Sequence, residues 1–70
     1  MNAKELILEM IENEETYRKI NMDAVANEVA AGMYQSLGMR AGLVNECSYL
    51  INKLKVLLQR VEMAEIEKEK

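Results

Sequence analysis

The feature that most constrains this chain is a heptad seam in its carboxy-terminal half. Leu43, Cys47, Leu50, Leu54, Leu57, Val61 and Ala64 repeat at spacings 4-3-4-3-4-3, the pattern of a and d positions along a helix that packs lengthwise against another. Val44, Ile51 and Leu58 recur every seven residues beside them, which widens the stripe to that of a bundle helix. The spacing predicts a helix over about 42–68. Proline is absent and Glu, Lys, Ala, Leu and Met dominate, so intrinsic propensity favours helix almost throughout.

The partner for that seam is expected upstream. Met22, Val25, Val29, Met33 and Leu37 form one stripe, and Ile20, Ala24, Asn27, Ala31 and Tyr34 form a second at 4-3-4-3 on the opposite side. A helix apolar on two sides packs between two neighbours. Ahead of it, Leu6, Ile7, Met10 and Ile11 mark a short amino-terminal helix over about 3–13, with Asn2 as its N-cap and Glu5 in its first turn. The stripe loses phase at Asn13-Glu14-Glu15, so a second helix is expected over about 14–37, restarting at Asn13 or broken near Asn21. Gly38 suits a left-handed position after a helix end, with Met39 as the apolar contact that follows it. The expected turn is therefore 38–42; a single helix running through that point is the alternative.

The carboxy-terminal helix also carries a mixed apolar-basic seam, Tyr49-Lys53-Val56-Arg60-Met63, at 4-3-4-3. At 100° per residue it projects almost opposite the main stripe. The resulting expectation is an all-α protein: an antiparallel helical hairpin with a short amino-terminal helix, forming a single domain over 1–70. The seams Tyr49, Lys53, Val56, Arg60, Met63 and Ile20, Ala24, Asn27, Ala31, Tyr34 exceed what one short helix can cover. They predict an oligomeric bundle, a dimer in the simplest case, with a trimer or hexamer as alternatives. Size points the same way. Ordering 70 residues costs on the order of 100 kcal/mol, and so small a chain without disulfides or metal closes that gap by regular helix packing or by oligomerising.

Composition excludes most chemistry. There is no histidine and a single cysteine, Cys47, so no intrachain disulfide, no imidazole or thiolate metal site and no Ser-His or Cys-His nucleophile pair is expected. No catalytic residue and no cofactor is expected either. Cys47 falls on the apolar seam beside Glu46, which suits a small core hydrophobe better than a nucleophile. No apolar run approaches the length of a spanning helix, and no basic flank precedes an apolar core at the amino terminus, so the expectation is a cytoplasmic protein without membrane association. The net charge of −3 disfavours nucleic-acid binding, which needs surplus cations. Gly38 to Gly42 matches G-x-x-x-G, a pattern that carries weight only in apolar membrane helices.

Charge is unevenly spread. Residues 1–16 are acidic, and Arg18, Lys19, Arg40, Lys53, Lys55 and Arg60 outnumber the acids of residues 17–61. A turn near residue 40 would set Tyr17, Arg18 and Lys19 across from Arg60, a ring and three cations suited to a nucleotide or another small anion. The plainer reading pairs those cations with the glutamates of the first helix and the tail. Two functions fit these residues. The first is a non-enzymatic oligomeric binding protein acting on another protein, of the size of many regulators, inhibitors and adaptors, including those of phages and mobile elements. The second is an oligomer that sequesters a small anionic ligand.

Overall fold

A computed structural model describes residues 2–69. The described residues form two helices, α1 (Ala3–Ala30) and α2 (Leu37–Glu69), joined by residues 31–36 and packed against each other as a hairpin. The molecule measures 59 × 18 × 13 Å. Its radius of gyration, 16.6 Å, compares with about 11 Å for a compact domain of this length. The elongation is that of two helices of roughly 42 and 50 Å lying side by side.

Helix α1 begins as the sequence implies. Asn2 takes extended backbone angles, and its Oδ1 accepts from the Glu5 N–H at 2.8 Å, with the Glu5 carboxylate in the first turn. The expected break between 13 and 21 does not occur, so the separate helices 3–13 and 14–37 become one. The loss of apolar phase has a different cause: beyond Ile7 and Ile11, the face turned toward α2 becomes polar at Glu14, Arg18, Asn21 and Glu28. Asn21, expected at a water-facing or capping position, is only 3% exposed. Its Nδ2 donates to the Tyr17 carbonyl at 3.0 Å, and its Oδ1 accepts from Arg40 Nη1 at 3.2 Å. These bonds satisfy an amide that would otherwise be costly to bury.

The turn lies six residues earlier than the sequence suggested. The chain holds two Gly-Met pairs, Gly32-Met33 and Gly38-Met39, and the first ends the helix. Gly32 has φ +73°, its N–H donates to the Val29 carbonyl at 3.0 Å, and the Met33 N–H donates to the Glu28 carbonyl at 2.8 Å. That pair of bonds, one spanning five residues and one spanning three, is the Schellman closure of a helix end. Helix α2 starts beyond Ser36, whose carbonyl accepts the Arg40 N–H at 3.0 Å, and runs through Gly38 and Gly42 without interruption. The 38–42 segment is therefore the first turns of α2.

The register follows. Ile7 and Ile11 meet Ile51, with Leu54, Leu58 and Val61 packed around them. Cys47 continues that seam toward the connection. The inward face of α2 is thus Val44, Cys47, Ile51, Leu54, Leu58 and Val61, rotated from the expected Leu43-to-Ala64 stripe by about 50°, half of one residue's step around the helix. Leu50 and Leu57, expected in the core, are 37% and 46% exposed. A two-helix hairpin has one inner face, and the a/d/e stripe is wider than that face can cover. No described helix is long and apolar enough to cross a membrane.

Candidate functional site

The register decides which side chains can act together. Arg18 Nη1 donates to Ser48 Oγ at 3.1 Å, which sets Arg18 level with residue 48. Arg60 lies twelve residues further along α2, about 18 Å away along the helix axis. The ring-and-cation group expected from Tyr17, Arg18, Lys19 and Arg60 is therefore not brought together within one chain. The expected pairing assumed a turn near 40, and its displacement to 31–36 slides α2 past α1. Lys19 instead pairs with Asp23 at 2.8 Å on the exposed side of α1; that hydrogen bond, and then the attraction of the carboxylate, holds the ammonium above its ordinary pKa. Tyr17 lies over the groove lined by Glu14, Leu43, Glu46, Cys47 and Leu50.

Near the connection the two helices are held by a polar clasp that sequence reasoning missed. Arg40 Nε donates to Glu28 Oε1 at 2.8 Å while its Nη1 reaches Asn21 Oδ1. One guanidinium thus ties α2 to two successive seam positions of α1, and both members of the ion pair are about three-quarters covered. The only signal available was the recurrence of Glu14, Asn21 and Glu28 every seven residues, the same period as the apolar seam. Cys47 is enclosed. Burial pushes its thiol pKa up, and hydrogen bonding to Glu14 and the charges of Glu14 and Glu46 add to this, with Arg18 opposing. Such a thiol is a poor nucleophile.

The seams expected to face neighbours remain uncovered. Tyr49, Val56 and Met63 are exposed, with Lys53 Nζ 5.4 Å from the centre of the Tyr49 ring; Arg60 is exposed beside them. On α1, Ile20 is exposed, Ala24 half-buried and Asn27 exposed. Ala31 and Tyr34 fall in the connection, beyond the end of the helix that was to carry them.

A broader apolar surface runs along one side of the hairpin. Leu43, Leu50 and Leu57 recur every seven residues on α2. Across the groove from them stand Met10 and Tyr17, also seven apart, on α1. Leu6 and Ile20 extend this side, and both are exposed. The opposite side is apolar around Met22, Val25, Leu37, Ala41 and Val44 next to the connection, but Glu15 and Ser48 interrupt it one heptad further on and Lys55 two. In total the chain exposes 5505 Å². A compact monomer of 8.0 kDa exposes about 4,450 Å². The excess, about 1,000 Å², is comparable with the roughly 800 Å² that each partner contributes to a stable protein interface.

Comparison with known protein families finds no matching family model, and comparison with curated proteins and with solved structures finds no match.

Proposed function

We propose that this chain is a non-enzymatic binding protein that works as a homodimer and acts through protein–protein contacts. The observation that carries the reading is the set of large apolar side chains left exposed on the flanks of the hairpin, Leu6, Met10, Tyr17, Ile20, Leu50 and Leu57 among them, in a chain whose accessible surface is about 1,000 Å² above that of a compact monomer of equal mass. Exposed apolar side chains grouped on one side of a small protein mark an interaction surface. The residue types support a binding role: the sequence holds no histidine, and its one thiol is buried with a raised pKa.

A second surface fits a foreign partner. Tyr49, Val56 and Met63 alternate with Lys53 and Arg60 on the outer side of α2, which suits an amphipathic helix with carboxylates beside its apolar stripe. Equilibrium sedimentation of the purified chain tests the reading. A mass of two chains at micromolar concentration is expected; a single-chain mass that persists at a hundred micromolar would overturn it.

A further inference from the structure

The self-association proposed above leaves open which face is used and how the copies are oriented; the inference here rests on that reading and extends it. We infer that a second copy of this chain docks on the side formed by Met10 and Tyr17 of α1 and Leu43, Leu50 and Leu57 of α2. The two copies are related by a two-fold axis perpendicular to the helices that passes at the level of Tyr17 and Leu50, so their connections lie at opposite ends of a four-helix bundle.

Three observations converge on that axis. First, Tyr17 and Leu50 line the same groove, so one axis can pass both. Second, the residues of α2 are self-complementary about Leu50: Leu43 and Leu57 stand seven residues to either side, and Glu46 and Lys53 stand four before and three after it. Reversing α2 against its own copy sets Leu43 against Leu57 and brings Glu46 to within one residue of the level of Lys53, so this pair of opposite charges meets twice across the axis. Within one chain Glu46 and Lys53 are two helical turns apart, about 10 Å, too far to pair. Third, α1 is complementary in size about Tyr17: Met10 falls opposite Ala24, and Ile20 within one residue of the level of Asn13, larger against smaller. The two exposed Tyr17 rings meet at the axis, where offset aromatic contact is favourable.

The alternative two-fold, parallel to the helices, puts α1 of one copy over α2 of the other. Asn13 and Ile20 then lie against Lys53 and Glu46, and neither charge finds a partner on the apolar rim. The outer Tyr49-to-Met63 stripe is a weaker candidate for self-docking. It lies on one helix only and brings Lys53 and Arg60 against their own kind when that helix is laid parallel on its copy.

Asn52, Gln59 and Ile66 are exposed and recur every seven residues along one line of α2, away from the proposed face. In a Cys47→Ala background, a nitroxide is placed at each in turn through Asn52→Cys, Gln59→Cys or Ile66→Cys, and the distance between the two copies is read by pulsed dipolar spectroscopy. The axial separations expected are about 6, 27 and 48 Å, shortest at 52 and growing toward 66. Equal distances at the three positions, or a minimum elsewhere, would overturn the antiparallel arrangement while the self-association stands. A single-chain mass with no intermolecular distance would overturn both. The choice of face is read separately: Leu50→Glu is expected to abolish the dimer with helix content retained, and Val56→Glu to leave it intact; the reverse pattern would overturn the assignment.

Discussion

Leu57→Ala separates what the hairpin gains alone from what it gains by docking. Leu57 is 46% exposed in the single chain, so about half of its apolar transfer energy is realised by folding. Fully burying a leucine side chain is worth about 1.5–3 kcal/mol. Truncation should therefore cost the single hairpin about 1 kcal/mol and remove about 1 kcal/mol more from each copy when the face is covered. Two copies lose about 2 kcal/mol of association energy, which raises the dimer dissociation constant about 30-fold. Sedimentation equilibrium measures the constant directly, and urea unfolding at two protein concentrations measures the rest. The wild-type midpoint should rise with concentration more than that of the variant at the same two concentrations. A dissociation constant unchanged within twofold, with a stability loss equal at both concentrations, would refute the placement of Leu57 in an interface.

The remaining predictions concern the hairpin itself. Gly38→Ala and Gly42→Ala should each stabilise the fold by about 0.5–1 kcal/mol, because both glycines are helical with open space where a Cβ would stand. Gly32→Ala should destabilise it, since φ there is +73° and a side chain strains that conformation; thermal unfolding of the three variants checks the opposed signs. Arg40→Met should cost about 1–3 kcal/mol in urea unfolding by leaving Glu28 and Asn21 without their shared donor, whereas Lys19→Met, which breaks an exposed pair, should leave the midpoint unchanged. The raised thiol pKa of Cys47 means that the unfolded chain ionises first. Stability from the buried neutral thiol is therefore full below the ordinary thiol range of about 8.5 and falls as pH climbs through that range toward the folded value. Cys47→Ala should flatten the decline between pH 8 and 10, read as the change in urea midpoint.

Much of this architecture was legible in the sequence because helical periodicity survives without tertiary information. The 3–4 spacing from Leu43 to Ala64 identified α2, and Asn2 with Glu5 identified the start of α1. The error over the turn came from two Gly-Met pairs of equal local merit. What selects Gly32 over Gly38 is long-range: a turn at 31–36 aligns Ile7 and Ile11 with Ile51 and Leu58 and lets Arg40 reach Glu28, neither of which is visible in a local window. That displacement also dissolved the expected Tyr17–Arg60 neighbourhood. The missing break in α1 has a related origin. Polar residues at Glu14, Arg18 and Asn21 read as an interrupted stripe, because nothing local showed that Ser48 and Arg40 stand opposite them. On α2 the apolar stripe was wider than one seam, so periodicity alone did not separate the inward Ile51 and Leu58 from the flanking Leu50 and Leu57.

Burial ties these findings together. The described hairpin encloses little more than Ile7, Ile11, Cys47 and Ile51, a small core for a chain of 70 residues, and part of its stability is expected to come from association. The most direct test is native mass spectrometry of gently purified protein, compared with the same sample after denaturation. The account predicts a species of twice the 8.0 kDa chain mass that separates into unmodified chains with no mass left over. A folded species at the single-chain mass across the whole concentration range would contradict it.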